Sequence, residues 1–301
     1  MTDERLWSNV IFFLQIISNG LVTGAIFALV AVGFSLVFGV LGVFNVAHAD
    51  FYTLGAYSAV WITVGTGLGS VFAPVAGAVI GAASGLLLYW LVLRRFSQHD
   101  LLTVFVATLG ASYFIQNLLA RVVGPDTKYA PSLFPTKTLV LFGDVRILVS
   151  QVVVLGAAIV LCLALHAWVQ NSRIGRDMRA VSENERLAQS VGVNATMTMS
   201  ITIAVGSAVA GLGGVIVTNF TQTANPYLAV QLGLPMIIVT MVAGAGSIAG
   251  TLVIGLGLGV IQSIASAFIG SSWQSIAGLV ILVLVLVIRP QGLFGKRARL
   301  V

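Results

Sequence analysis

The sequence predicts an all-α fold, a polytopic transmembrane helix bundle of about eight to nine spans that includes broken helices. Of the 301 residues, 58% are hydrophobic and only 8% are charged. Soluble domains carry about 25% charged residues, so the chain has a membrane composition. Its apolar stretches are long and continuous rather than alternating, which favours helices over a barrel. We expect one integral membrane domain over residues 1–301.

Stretches without charge indicate where the spans lie. Each is long enough for at least one helix of about 20 residues; they are Leu6–Ala49, Phe51–Leu93, Leu101–Ala120 and Ile147–Ser172. The stretch Leu187–Ile288 contains no Asp, Glu, Lys or Arg and has room for about four further spans. Whether two or three spans precede Arg94 stays open.

The basic residues cluster between the predicted spans, at Arg94–Arg95, Arg173–Arg186 and Arg289–Arg299. Loops rich in Lys and Arg face the cytoplasm, which predicts a cytoplasmic C-terminus. The loop Arg121–Arg146 then lies on the other side, although it also holds four basic residues. The net charge of +6 is thus a property of membrane loops and does not indicate nucleic-acid binding.

A glycine-broken run precedes Asn45, His48 and Asp50. Asp50 is the only formally charged residue in residues 6–93. We expect one helix to end near Gly39–Gly42 and a new one to start near Asn45–Asp50. A carboxylate inside a bilayer usually faces a polar cavity or a partner, and a broken helix exposes backbone donors. Alternatively, the run is a short turn at the water interface in which Asp50 caps the next helix.

A second glycine-rich run, Gly244–Gly250, lies in the later apolar stretch. It predicts either a second broken helix or a tight turn between two spans. Paired interrupted helices mark substrate paths in many transporters. The candidate residues of a substrate pathway are therefore Asn45, His48, Asp50, Gly244, Gly246 and Ser247.

The segment 171–192 is the most polar part of the chain and lies between apolar spans. Residues 173–186 include Arg173, Arg176, Asp177, Arg179, Glu183, Glu185 and Arg186. Such a segment cannot lie in lipid, so the neighbouring spans must hold it at a membrane surface, where a soluble partner has access. We expect a surface helix over Glu183–Val191, capped by Ser182 and stopped by Gly192. The alternative is a plain solvated loop.

Motifs for chemistry are missing from the sequence. The pair Gly-Lys occurs once, at Gly295–Lys296, without the other residues of a nucleotide-binding loop. The sequence has no HExxH motif and no cluster of Cys and His at metal-ligand spacing, and Cys162 is its one cysteine. We therefore expect a transport subunit without an ATPase site or cofactor of its own, and a membrane-embedded enzyme is disfavoured.

Three segments resemble a known family: Asn19–Tyr57, Ile174–Gly214 and the RPQGLFG stretch Arg289–Gly295. They are similar to the LivH-type permease subunits of bacterial ABC importers for branched-chain amino acids, and the resemblance covers nearly the whole chain. It implies an inner-membrane protein that forms half of a pore. Its partners would be a LivM-like second permease, two ABC ATPase subunits that bind ATP and Mg, and a periplasmic substrate-binding protein.

The resemblance also implies that residues 171–192 form the coupling-helix loop that docks on the ATPase. The family motif there is Glu-Ala-Ala-x-x-x-Gly, and its last two fixed positions match Ala188 and Gly192, while Arg186 stands at the Glu position. The candidate coupling residues are Arg176, Arg179, Glu183, Glu185, Arg186, Ala188 and Gly192.

Other functions stay open at this stage. Related permeases carry urea, short amides and other carboxylates, and the pore is either a homodimer or a heterodimer. A different class of function is a stand-alone secondary transporter or channel for a small solute, with Asp50 and His48 as an ion site.

Overall fold

A computed structural model describes residues 2–65, 70–96, 101–130, 137–141 and 145–295. Six of the described helices are long and apolar enough to cross a membrane. Shorter helices of 16, 16 and 13 residues pack among them. The all-α polytopic bundle predicted from composition is confirmed. The basic residues after Gly295 lie outside the described part of the chain.

The first half of the chain contributes the helices α1 to α5. Their bounds are α1 Thr2–Leu41, α2 His48–Val60 with a π-helical turn at Trp61–Gly65, a 3₁₀ turn at Ser70–Phe72, α3 Ala73–Leu88 with a π-helical turn at Tyr89–Leu93, α4 Arg94–Phe96 and α5 Leu101–Val123. Helices α1, α2 and α3 precede Arg94; α1 and α3 with its π-helical turn are long enough to cross a membrane, whereas α2 has 13 residues. Pro74 in the first turn of α3 is tolerated because the first turn has no partner for its missing N–H.

The second half contributes α6 to α12. Their bounds are α6 Val149–Asn171, α7 Arg173–Glu183, α8 Glu185–Ser190, α9 Ala195–Thr221, α10 Leu228–Ala243, α11 Ile248–Phe268 and α12 Trp273–Ile288. Pro290 follows the end of α12, as expected for a residue that cannot continue a helix. Short strands lie between the helices: β1 Lys128–Tyr129, β2 Thr138–Leu141, β3 Val145–Leu148 and β4 Thr223–Ala224. They form two antiparallel pairs, β1 with β4 and β2 with β3.

The bundle has two chemically different ends. We call one the basic end, because Arg94, helices α7 and α8, and Arg289 all lie there. Val40 near the end of α1 packs there with Val181 of α7 and Ala195 of α9. The other is the strand end, where Gln15 of α1 bonds the backbone of Arg146 after β3.

Helices α1 and α9 form the centre of the bundle. The most apolar window is 72% buried in α1 and 67% buried in α9, against 22% in α5 and 28% in α6. The outer helices turn side chains such as Phe114 and Val160 away from the protein. Their exposed faces are apolar, as is required of surfaces that meet lipid or another apolar chain.

Glycines let the central helices approach closely. A Cβ added at Gly24 of α1 would lie 2.6 Å from the carbonyl oxygen of Gly255 in α11. Gly211 of α9 lies against Gly55 of α2 and Gly77 of α3, so three helices meet at one crossing. Without a hydrophobic force between helices in lipid, this close packing is what holds the bundle together.

A valine at Gly259 is expected to destabilise the protein, because a Cβ there would collide with the backbone of Gly20 and Gly24. The overpacking should lower the free energy of unfolding by about 3 kcal/mol. Gly257→Val is the matched control, since nothing lies within 4 Å of a Cβ at Gly257. Thermal unfolding of the detergent-purified variants measures the difference. Equal melting temperatures would contradict the assigned α1–α11 contact.

Candidate functional site

The chain breaks between α1 and α2 within the bundle. Helix α1 ends at Leu41, and Gly42 takes a positive φ of 66° that turns the chain back. His48, the first residue of α2, then lies against Gly33 of α1 and Gly206 of α9. Gly33 is roughly 12 Å before the end of α1 along its axis. Helix α2 therefore starts inside the membrane layer, as the glycine-broken run predicted.

The three candidate residues at this break are buried. Asn45 is 1% exposed, and His48 and Asp50 are 0% exposed. The alternative of a turn at the water interface is therefore wrong for this segment. The reason is that the glycines at 33 and 206 leave room for the start of α2 between α1 and α9.

Helix α5 supplies hydrogen bonds to the broken backbone. The hydroxyl of Thr108 accepts from the N–H of Val46 at 3.2 Å, and its single O–H has two acceptors in range, the carbonyl oxygens of Phe105 in α5 at 3.1 Å and of Phe44 at 3.3 Å. A buried N–H or C=O without a partner is costly in a bilayer. Thr108 thus provides the acceptor for the Val46 N–H at the break.

The imidazole of His48 lies among aromatic rings. Its ring centroid is 5.7 Å from that of Phe34 and 5.6 Å from that of Phe51. Neither ring nitrogen has a hydrogen-bond partner among the described residues. In this position His48 serves as a flat packing element between α1 and α2.

The carboxylate of Asp50 faces a different helix. Its Oδ1 accepts a hydrogen bond of 3.0 Å from the Nε2 of Gln116 in α5, and the same Nε2 donates to Ser112 Oγ at 2.9 Å. Asp50 Oδ2 has no hydrogen-bond partner within the described part of the chain. His48 and Asp50 are two residues apart on a helix, so they point to different sides. The structure does not bring them together as a pair.

The second glycine run forms a tight turn at the basic end. Helix α10 ends at Ala243 and α11 begins at Ile248, and these two helices run antiparallel. Gly244 and Gly246 have φ values of 94° and 76°, and the N–H of Gly246 donates to the carbonyl of Ser35 at 3.1 Å. The broken-helix alternative is therefore wrong for Gly244–Gly250, because the positive φ angles reverse the chain.

The turn contacts α1 near its end but lies away from Asp50. Gly246 approaches the Cα of Gly39, and Ser247 is half-buried at the start of α11. The six pathway candidates thus fall into two groups, one at the α1–α2 break and one at the basic end. They do not line a common cavity in the described residues.

The last described residues form a clasp over the same turn. In this C-terminal clasp, Arg289–Gly295, the N–H groups of Leu293 and Phe294 donate to the carbonyls of Val242 and Ala243 at 2.8 and 3.0 Å. These carbonyls belong to the last turn of α10, which has no helical partners for them. The clasp therefore caps α10 with two backbone hydrogen bonds rather than with a side chain.

The charged segment folds as two helices instead of one. Ser172 caps α7 by accepting from Gly175 N at 2.9 Å, and Asn184 caps α8 by accepting from Leu187 N at 3.0 Å. The predicted Ser182 cap is wrong, because its hydroxyl donates back to the Arg179 carbonyl within α7. Asn184 has extended backbone angles, which separates the two helices. The predicted stop at Gly192 is confirmed by its φ of 89°.

The candidate coupling residues differ in their surroundings. The guanidinium of Arg179 is directed inward and donates to the carbonyls of Val169 and Gln170 in the last turn of α6. Ala188 is buried beside Val181 and Ala195. The side chains of Arg176, Glu183, Glu185 and Arg186 are exposed, and so is Gly192.

Two apolar side chains are exposed at the basic end, Leu187 in α8 and Val191 directly after it. Leu187 is 65% exposed and Val191 is 78% exposed, and the i, i+4 spacing puts them on one side. Exposed apolar residues on a polar surface segment mark a contact for another molecule when they cluster.

The polar residues of α5 were missed by the sequence analysis. Thr108, Ser112 and Gln116 recur every four residues on the buried side of an otherwise apolar span. This i, i+4, i+8 spacing was a usable signal, since it puts all three on one helix face. We call the contact of this face with α2 the polar seam; it comprises Asp50, Thr53 and Tyr57 of α2 and Thr108, Ser112 and Gln116 of α5.

Asn184→Ala is expected to loosen α8, because it removes the acceptor for the Leu187 N–H. Loss of an N-cap side chain costs about 1 kcal/mol. Hydrogen exchange of the α8 amides should become faster than in the unchanged protein. Ser182→Ala is the control and should leave α8 exchange unchanged. Faster exchange in Ser182→Ala alone would restore the cap expected from the sequence.

Comparisons with known proteins identify the family. The family model described as "Branched-chain amino acid transport system / permease component" matches residues 16–288. The permease protein LivH of the high-affinity branched-chain amino acid transport system of Escherichia coli is 30% identical over 297 residues, covering 95% of this chain and 96% of that protein. BraD of Pseudomonas aeruginosa is 27% identical, covering 94% and 96%. A probable LivH of Methanocaldococcus jannaschii is 25% identical, covering 93% and 92%.

One solved structure, "PsaBC from Streptococcus pneumoniae in complex with Fab", resembles the chain with a TM-score of 0.49 and 14% identity, over 93% of this chain and 92% of that one. That likeness supports no conclusion about function. The family match extends from the middle of α1 to the end of α12 and includes both the α1–α2 break and the α7–α8 segment. The chain belongs to the family of branched-chain amino acid transport system permease components.

Proposed function

We propose that this protein is the membrane-spanning permease subunit of an ABC importer that moves branched-chain amino acids across the inner membrane. The observation that carries the proposal is the exposed apolar pair formed by Leu187 of the capped helix α8 and Val191 directly after it, in a chain of this family. The names of the relatives support the substrate class. We place ATP and Mg on the partner subunits, because the sequence contains no nucleotide-binding loop.

The partners follow from the family resemblance. We propose a LivM-like second permease, two ABC ATPase subunits, a periplasmic substrate-binding protein and the surrounding membrane lipid, without nucleic acid. The basic end faces the cytoplasm, because Arg94, the α7–α8 arginines and Arg289 all lie there. The C-terminus is then cytoplasmic, and the strand end faces the binding protein.

Helices α7 and α8 are the proposed coupling surface. Leu187 and Val191 provide an apolar contact, and the charges of Arg176, Glu183, Glu185 and Arg186 surround it with polar partners for the ATPase. Arg179, Ala188 and Gly192 have positioning roles, since they tie α7 to α6, seat α8 on the bundle and end α8. Closure of the ATPases would move this surface, and rigid helices would carry that movement into the bundle.

The contacts behind α7 support such a transmission. Met178 of α7 packs in one cluster with Leu36 of α1 and Leu165 of α6. Movement of α7 thus reaches the half of α1 that precedes the α1–α2 break. The pathway candidates Asn45 and Asp50 follow that break, whereas Gly244, Gly246 and Ser247 are proposed as a hinge turn at the basic end.

The proposal is tested by uptake of labelled leucine into vesicles that hold the chain with its partner permease and ATPases. Uptake is measured with and without ATP and binding protein. A requirement for both supports the importer, and ATP-dependent uptake of urea or an amide instead would change the substrate only. Leucine uptake driven by a proton gradient without ATPases would contradict the importer and favour a secondary transporter with an ion site at Asp50 or His48.

Leu187→Asp is expected to reduce ATP-driven uptake by about tenfold, because a charge replaces an apolar contact at the centre of the proposed interface. Gln189→Asp adds the same charge to an exposed position of the same helix and should keep most of the uptake. Initial uptake rates at equal protein levels measure both variants. Equal loss in the two variants would mean that only the charge of α8 matters and would contradict the apolar contact.

A further inference from the structure

We propose that the polar seam between α2 and α5 binds the ammonium group of the transported amino acid, and that Asp50 is its acceptor. This inference rests on the proposed function and specifies which chemical group of the solute the subunit recognises. It assigns roles to α5 residues that face Asp50 rather than to His48 or the second glycine turn.

The first argument is the placement of polar side chains within the membrane layer. Thr108, Ser112 and Gln116 are each at most 5% exposed, while α5 shows apolar residues such as Phe114 on its outer side. Polar side chains in spans are costly, and those present usually face an internal cavity or a pathway. The stripe continues over two turns of α5, from the α1–α2 break toward the strand end.

Helix α2 also presents polar side chains to the seam, opposite those of α5. Asp50, Thr53 and Tyr57 share one face of α2, since they are three and seven residues apart. The Tyr57 ring packs in a cluster with Leu119 of α5. Thr108 bonds Val46 just before α2, Gln116 bonds Asp50, and Leu119 shares a cluster with Tyr57. This common order along the chain means that α2 and α5 run parallel along the seam.

The third argument is unused hydrogen-bonding capacity. Asp50 Oδ2, Thr53 Oγ1 and the Tyr57 hydroxyl are buried and have no partner among the described residues. Buried polar atoms in folded proteins are nearly always paired, so three unpaired acceptors on one helix face indicate a site that a ligand completes. The carboxylate oxygen only accepts and the two hydroxyls both accept and donate, so an ammonium group can donate to each of these atoms, and we assign Asp50 as its main acceptor.

The fourth argument is charge. Asp50 is the only formally charged residue in residues 6–93, and its bonded neighbour Gln116 is neutral. A buried carboxylate without a cation is strongly unfavourable, whereas a positively charged partner compensates for its desolvation. An amino acid brings that cation with it. The apolar side chain of a branched-chain substrate would meet Ile115 and Leu54, which border the seam.

The fifth argument is that α5 is attached to few elements. Its main packing partners are α2 and the π-helical turn Tyr89–Leu93, and it is the least buried of the long spans. π-helical turns occur frequently at functional sites. Helix α5 can therefore move away from α2 while the contacts between α1 and α9 persist. Such a movement would open the polar seam to a solute.

Asp50→Asn tests the acceptor. Asparagine has the same shape and can still accept from Gln116, so helix contacts persist while the charge is removed. We expect leucine uptake by the complex to fall about tenfold or more. ATP hydrolysis stimulated by the loaded binding protein should persist, because Asp50 is distant from α8. Uptake at the unchanged rate in Asp50→Asn would overturn the proposal.

Thiol labelling provides a second test that does not depend on uptake. In a Cys162→Ala background, Ser112→Cys places a thiol on the seam, and Ser207→Cys places one at the buried α3–α9 contact. We expect a water-soluble methanethiosulfonate to modify Ser112→Cys in the complex during ATP turnover, and leucine to slow that reaction about tenfold. Ser207→Cys should stay unmodified, and 4-methylpentanoate, which lacks the ammonium group, should not protect.

The outcomes separate this inference from the proposed function. Labelling of Ser112→Cys that is absent, or that leucine does not slow, overturns the seam as a binding site. Equal protection by leucine and 4-methylpentanoate overturns recognition of the ammonium group. A complex that takes up leucine without ATP contradicts the importer, while leucine protection of Ser112→Cys in that complex would still support the seam.

Discussion

The interruption between α1 and α2 is the constraint on which the rest of the site depends. A helix that ends inside a bilayer leaves N–H and C=O groups that lipid cannot satisfy. Thr108 of α5 accepts a hydrogen bond from Val46 N–H in the interruption, and glycines at 33 and 206 make the space for the start of α2. In this conformation the Thr108 contact holds α5 beside α2, and this neighbour brings Gln116 to Asp50.

Three features could be predicted from the sequence: the membrane spans, the end of α1 and the charged surface segment. The uncharged stretches located the spans, the glycine run located the end of α1, and charge density located the surface segment. Each depends on local chemistry, because lipid excludes charges and glycine permits positive φ. The broken-helix alternative for Gly244–Gly250 failed since the same glycines suit a reversing turn, and local sequence does not distinguish the two.

Other features depended on contacts between distant residues. Ser182 and Asn184 are both good caps, and only the packing of Val181 and Ala188 on the bundle decides that the chain breaks at Asn184. The inward direction of Arg179 arises from the carbonyls at the end of α6. His48 and Asp50 are close in sequence, which suggested a shared ion site. On helix α2, however, the His48 side chain faces α1 and the Asp50 side chain faces α5.

Helix α1 connects the proposed ATPase-docking surface on α7 and α8 with the polar seam, where the transported solute is proposed to bind. Helix α8 presents Leu187 and Val191, α7 connects them to α1 through Met178, and the end of α1 leads into the interruption beside the seam. The clasp of Leu293 and Phe294 on α10 holds the neighbouring turn at the same end. In this arrangement a movement of the ATPase would be transmitted to the solute pathway through helix α1.

Cross-linking of α8 to the ATPase tests the central claim most directly. In a Cys162→Ala background, Val191→Cys puts a thiol on the proposed coupling surface, and Val230→Cys puts one near the strand end of α10, where Val230 is 64% exposed. With a short bifunctional reagent in the assembled complex, the account predicts that Val191→Cys links to the ATPase and Val230→Cys does not. Linkage through Val230→Cys, or none through Val191→Cys, would contradict it.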